Sequence, residues 1–235
     1  THADPQCLQL LQENFPRGMM ITLTPWEPQE IWTLVAAALA QRPAVIAPFV
    51  TRPTENVLDR AQRGLAPASA AETGVYCLRR AAGRADGTVV LQESGVTYAF
   101  VETALPLLLE EGYDLNVFYV ASAELFDVLS VSERERIYPE RLAREAIGIT
   151  GFTPATMYRW IRSDRGREAM LHPFGKGHYL GSGQADQVLA EAGLDGESQF
   201  EAIARFVRTA RTGTRAAQQK RAREGVAVAG PKAAL

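Results

Sequence analysis

Two short apolar runs bracket an amphipathic segment near the start of the chain. "MMITLTP" (19–25) is β-branched and apolar and stops at Pro25, and "PAVIAPFV" (43–50) has the same character, so both predict buried strands. Between them, "EPQEIWTLVAAALAQR" sets Ile31, Leu34, Val35, Ala38 and Leu39 at helical spacing. It opens on acidic residues and ends with Arg42 before Pro43, which are start and stop signals for a helix. Strand, helix and strand in that order imply a crossover and therefore parallel pairing.

Residues 61–73, "AQRGLAPASAAET", have no periodicity and are rich in small and turn-forming residues, which predicts a linker or crossing segment. Alternation resumes with strands at 75–80, 88–93 and 115–121, a helix over 96–111 and another over 123–129. A further strand is expected at 144–150, a helix over 153–163 started by Thr153 and Pro154, and two more over 184–193 and 197–212. The whole reads as an α/β protein in three layers, α/β/α, with a mostly parallel sheet in its second part. The last stretch, 213–235, holds Ala, Lys and Arg without a large apolar face and is expected to be a solvated or disordered basic tail.

Composition adds limits. With 235 residues, 46% hydrophobic and 22% charged, the chain can bury a sizeable core. A net charge of −2 gives no overall field for nucleic acid. Cys7 and Cys77 are too few for a disulfide framework, and no run of about 18 apolar residues suggests a membrane span. The expectation is a cytoplasmic protein with no nucleic-acid or membrane partner, and a start at "THADPQ" that suits a portion of something larger.

The most conspicuous candidate for chemistry is "LHPFGKGHYLGSGQ" (171–184), where His172 and His178 stand among four glycines. The segment lacks the spacing of a P-loop or dinucleotide turn, and the two histidines match neither a same-face helical pair nor a zincin motif. The glycines therefore read as turn formers, with an anion at the following helix N-terminus as the alternative. "RADG" (84–87) with Asn116 downstream does not make a magnesium motif, because it precedes its strand. Glu93 and Ser94 close a predicted strand, where α/β sheets bind ligands; the plainer reading is a helix start with Ser94 as its cap. Trp26, Trp32 and Trp160, with Tyr158 and Phe152, read as core or interface anchors.

Taken in order, several segments resemble transketolases. "ESGVTYAFVETALPLLLEEGYDLNVFYVASAELFDVL" (93–129) is similar to the strand, turn, helix and strand of that family's C-terminal domain, followed by its S-x-E-L-F-D motif at Ser122, Glu124, Leu125, Phe126 and Asp127. Tyr158, Arg159 and Trp160 match its aromatic W-Y-R-W helix, and "HPFGKGHYLGSG" lands on its F-G-x-S-G-P turn. Upstream, "TH" (1–2) stands at G-P-T-H-Q-P, "ITLTPWEPQE" at V-x-R-P-A-D-x-N-E, and "PAVIAPFVTR" at P-x-x-I-x-L-S-R.

The resemblance implies residues 1–60 as the second half of a pyrimidine-binding domain, 61–73 as linker and 74–212 as the C-terminal domain. It implies a transferase that moves a two-carbon ketol unit between phosphorylated sugars, as a homodimer or in assembly with an N-terminal portion. By position, His2 matches the histidine beside the thiazolium and donor sugar, in a catalytic and substrate-binding role. Arg52 matches the arginine that clamps the sugar phosphate. Thiamine diphosphate and Mg2+ are implied as cofactors held mainly by parts absent from this chain, so the chain alone is expected to be inactive. A 2-oxo acid dehydrogenase E1 or deoxyxylulose-phosphate synthase type enzyme, and a non-catalytic dimerisation or regulatory domain, are the alternatives.

Overall fold

The computed structural model describes residues 5–51, 55–178 and 180–210. After a short helix, α1 (Cys7–Glu13), strand β1 (Met20–Leu23) leads into α2 (Glu30–Ala40) and back to β2 (Val45–Pro48). The two strands pair in parallel, Met20 with Val45 through Leu23 with Pro48, as the apolar runs and the helix between them require.

The chain then crosses to a second sheet. Residues 61–73 do so along the core: Leu65 and Ala71 are buried, and Ala68–Thr73 form a 3-10 turn. The second sheet holds β3 (Val75–Arg79), β4 (Gly87–Gln92), β5 (Leu115–Val120) and β6 (Ala146–Thr150), in the spatial order β3-β5-β4-β6. β4 is parallel to both β5 and β6, while β3 is an antiparallel edge on β5. An antiparallel edge strand on a parallel sheet needs only the short 80–86 turn, whereas β4 to β5 needs a helix.

Both faces of this sheet are apolar, which makes the three layers. Tyr76, Leu78, Val89, Leu91, Val117, Tyr119, Ile147 and Ile149 face one core; Val75, Val90, Phe118, Val120 and Ala146 face the other. Successive strand residues alternate between them, as the pleat dictates. The first core is covered by one helical run made of α3 (Ser94–Ala99), a π-helical turn (Phe100–Ala104) and α4 (Leu105–Glu110). The second is covered by α5 (Ala123–Asp127), α6 (Val131–Ile137) and α7 (Glu140–Glu145) with Trp160 and Met157. After α8 (Asp164–Glu168) and α9 (Ala185–Ala192), the helix α10 (196–210) returns to the first core through Ile203, Ala204, Phe206 and Val207.

One expected helix, 153–163, is instead a 3-10 turn (Pro154–Met157) followed by turns, with α8 starting separately. The Arg162 amide donates to Ala143 O at 2.8 Å, drawing the backbone toward α7, and Ser163 caps α8 by accepting from Gly166 N at 3.1 Å. The expected tail at 213–235 lies outside the described residues.

Candidate functional site

The C-terminal ends of β1, β2 and β4 converge, and this is the end of a parallel sheet at which ligands bind. A cavity of about 250 Å3 opens there, with Pro25, Trp26, Val50, Thr51, Glu55 and Ser94 in its wall. Each wall element has its own anchor. The Ser94 hydroxyl donates to Trp26 O at 2.6 Å, joining the end of β4 to the turn after β1. The Tyr98 hydroxyl donates to Asn56 O at 2.6 Å and fixes the segment after β2. Thr24 N donates to Ala121 O at 2.7 Å, and Phe49 stacks edge-on against Phe152 at 5.6 Å.

Under the turn lies a buried ionic network. Arg60 donates to Glu27 and, at 2.8 Å, to Glu30; Tyr76 donates to Glu30, and the Trp26 indole N–H donates to the Tyr76 hydroxyl at 2.9 Å. The Arg60 guanidinium also sits 4.7 Å from the Trp26 ring centroid. Burial pushes the Glu30 carboxyl above its usual range, against the opposing pull of Arg60. Two carboxyl groups thus share one guanidinium in this network.

Glu93 holds the end of β4 in an unusual way. Its φ of 89° is in the left-handed region, and its carboxylate accepts from Gly95 N at 2.9 Å and Val96 N at 3.0 Å, capping α3. The cap expected from Ser94 is therefore made by Glu93, because the positive φ turns its side chain back over the helix while Ser94 reaches to Trp26. Burial raises the Glu93 carboxyl, the two amides oppose this, and Glu55 adds to it. Glu55 is itself raised by burial, with the Thr51 hydroxyl donating to it at 3.3 Å. Beside Glu93, Gln92 Oε1 accepts from Thr150 at 3.0 Å and Thr156 at 2.7 Å, tying β4 to β6.

The cavity thus presents carboxyl and hydroxyl groups against an apolar wall, and none of its described lining residues is cationic. That suits hydrogen bonding to hydroxyl groups, not capture of a diphosphate. Among the described residues no group of three or more His, Cys, Asp or Glu side chains could hold a metal ion. The described residues therefore do not supply a magnesium and diphosphate site for thiamine diphosphate.

Both residues carried over by resemblance, His2 and Arg52, lie outside the described residues. Thr51 and Glu55, on either side of 52–54, line the cavity. His172 and His178 do not converge on a ligand: Phe174 N donates to His172 Nδ1 at 3.3 Å, and His178 Nε2 lies 3.5 Å from Glu191 on the surface. Of the four glycines around them, only Gly177 takes a positive φ, 75°, in a turn closed by its amide donating to Phe174 O. Trp26, Trp160 and Phe152 are buried anchors as expected, whereas Trp32 and Tyr158 are exposed. Sequence reasoning passed over Glu55, Arg60 and Tyr98. Arg60 sits beside a segment read as linker, and nothing in spacing pairs it with a helix start about 30 residues away.

Neither a protein-family model nor a curated protein matches the sequence. Solved structures do match in fold. A transketolase from Leishmania mexicana superposes with a TM-score of 0.64 at 15% identity, over 88% of this chain and 28% of that one. A transketolase mutant of Pichia stipitis, in complex with xylulose 5-phosphate, gives 0.67 at 17% identity over 90% of this chain and 28% of that one. The inactive β4 tetramer of a split-gene transketolase gives 0.52 at 15% identity over 88% of this chain and 62% of that one. The chain thus spans about 28% of the length of the single-chain transketolases it resembles. Its mixed α/β fold, with mostly parallel sheets, is the fold of the transketolase segments on which it superposes, consistent with a C-terminal transketolase portion.

Proposed function

We propose that the chain is the C-terminal portion of a transketolase-like enzyme that transfers a two-carbon ketol unit between phosphorylated sugars. The observation that carries this reading is the superposition of 90% of the chain on a transketolase crystallised with a sugar phosphate. The sequence motifs around 1–2, 52, 122–127 and 158–160 support it in the same order. In this reading residues 1–60 complete a pyrimidine-binding domain, 74–212 form the C-terminal domain, and the two are joined by 61–73.

Thiamine diphosphate, when bound with Mg2+, supplies the stabilisation of the carbanion. The chain's own part is binding and orientation. The imidazole of His2 exchanges hydrogen bonds with the ketose hydroxyl and carbonyl groups, and the guanidinium of Arg52 holds the phosphate in bidentate fashion. Glu55 and Thr51, beside position 52, offer hydroxyl-binding groups in the cavity. The cofactor's diphosphate end belongs to another portion, on the same polypeptide or on a partner subunit.

Calorimetry tests this. The 235-residue chain should show no saturable binding of thiamine diphosphate with magnesium, and ketol transfer should arise only when the remaining portion is present. Tight cofactor binding by the chain alone would sink the reading.

A further inference from the structure

Every side-chain hydrogen-bond donor described in the wall of the cavity at the ends of β1, β2 and β4 is already engaged within the protein. The Ser94 hydroxyl donates to Trp26 O at 2.6 Å, and the Thr51 hydroxyl donates to Glu55 Oε1 at 3.3 Å. The Trp26 indole N–H donates to the Tyr76 hydroxyl at 2.9 Å. None of the described lining residues is Lys, Arg or His.

What the wall has left is acceptors. A hydroxyl that has donated its proton keeps its lone pairs, and a carboxylate has no proton to give. Two carboxyl side chains line the cavity, and they differ in how far they are satisfied. Glu27 is buried and accepts from Arg60, from Gln29 Nε2 at 3.2 Å and from Leu58 N at 3.3 Å. Glu55 accepts one hydrogen bond among the described residues, from Thr51, and forms no ion pair among them. Its segment is nevertheless held, because the Tyr98 hydroxyl donates to Asn56 O at 2.6 Å. Glu55 is thus a fixed carboxyl group with acceptor capacity to spare, at the end of a parallel sheet where ligands bind. A ligand hydroxyl can donate to it, and an ammonium adds Coulomb attraction. An acidic group would enter desolvated, beside a like charge and with no side-chain donor to receive it.

We infer that Glu55 makes this cavity a filter for the charge of the sugar. It takes hydroxyl or ammonium groups as donors and excludes acidic ones, so the substrate is a sugar whose anionic group stays outside the cavity. Exclusion of the wrong ligand by an unpaired like charge is a common route to specificity. This rests on the proposed function for the ligand being a sugar.

Three sugars that differ at one carbon test the filter on the 235-residue chain. They are glucose, its analogue with an amine in place of the hydroxyl on the terminal carbon, and glucuronate. Amide shifts of Thr51, Glu55 and Ser94 in heteronuclear NMR locate and titrate each one at neutral pH. The amino sugar should bind tightest, glucose about fivefold more weakly and glucuronate at least about fiftyfold more weakly. Glu55→Gln should cut the preference for the amine over the acid at least about tenfold, since an amide is uncharged and carries donors as well as an acceptor. The series on the unaltered chain decides the matter even where the variant folds poorly. Absence of saturable shifts at these residues with the amino sugar would overturn the inference. So would glucuronate binding within about twofold of the amino sugar, or a preference that survives Glu55→Gln in full. Ketol transfer by the chain together with the remaining portion separates the two ideas. Charge selection without transfer removes the transketolase reading and keeps the filter; transfer without charge selection does the reverse.

Discussion

Arg60 and Glu30 meet at 2.8 Å in a core that leaves Arg60 only 5% exposed and Glu30 not at all. Glu27, on the other side of the same guanidinium, is equally shielded. This triad joins the start of α2 to the crossing segment, and through Tyr76 and Trp26 to the second sheet. Burial raises the Glu30 carboxyl within it, so its balance depends on pH.

Arg60→Met should be among the most damaging single changes to stability. Removing the cation leaves two buried carboxyls unpaired, which costs about 3–5 kcal/mol at pH 7. Glu30 is already raised by burial, and without Arg60 it rises further. A raised carboxyl favours the folded state when protonated, and that preference is lost as pH rises through its folded value. The loss in Arg60→Met should therefore be smaller at pH 5 than at pH 7, read as urea midpoints. An equal loss at both would place the cost in packing and not in charge.

Gly74 is a second point where close packing depends on one residue, here between the start of β3 and the turn from β5 into α5. Its carbonyl accepts from Ala121 N and Ser122 N, and a Cβ there would press on the Ser122 carbonyl and lie 2.6 Å from Phe126 N. Its φ of 77° adds strain for any other residue. Gly74→Ala should cost more than about 3 kcal/mol by thermal unfolding. Gly112 also has a φ of 77° but has nothing within 4 Å of its Cβ position. Gly112→Ala should cost only about 1 kcal/mol, and the contrast between the two separates crowding from backbone strain.

The strands were legible as short apolar runs, six of which correspond to the six described strands, although β2, expected to be buried, is half-buried to exposed; the crossover rule gave β1 and β2 their parallel sense. The long helix over 94–110 was legible from its length alone. Of the short helices, α5 and α9 were legible, whereas α1, α6, α7 and α8 were not. α6 opens with a capping box in which Ser130 and Glu133 bond reciprocally, a signature present in "SVSE". It buries no residue, so no apolar period marks it. The site was less legible still. Glu27 and Glu30 look like ordinary first-turn acids, and only the fold brings Arg60 to them. The conspicuous histidines at 172 and 178 proved to be turn and surface residues. Local composition announces chemistry poorly where the site is made by strand ends far apart in sequence.

Glu93 offers a test of how a strained carboxyl is held. Burial raises it, and the amides of Gly95 and Val96 work against that rise. Glutamine stays neutral at every pH but keeps only one oxygen for the two amides. Glu93→Gln should be less stable by about 1 kcal/mol at pH 5, where the native carboxyl is most favourable. The native protein then loses stability as pH climbs through the raised value while the variant does not, so the gap should narrow by pH 8. A gap that widens with pH would mean that the ionised form, gripped by both amides, is the one the fold prefers.

Arg52 carries the sharpest functional prediction. It follows Thr51, whose hydroxyl donates to Glu55 in the wall of the cavity. No described lining residue there is cationic, so a sugar phosphate at that site would depend on position 52 for its charge partner. In the complete enzyme proposed above, Arg52→Ala should raise KM for phosphorylated acceptors by about a hundredfold, the loss of a bidentate charge-assisted pair. For unphosphorylated acceptors KM should change less than about threefold, because they never used that pair. Arg52→Lys should recover only part of the loss, since an ammonium cannot reproduce the planar fork. Equal losses on both acceptor classes would remove Arg52 from the proposed phosphate site and leave Glu55 and Thr51 in the cavity wall as the candidates for substrate contact.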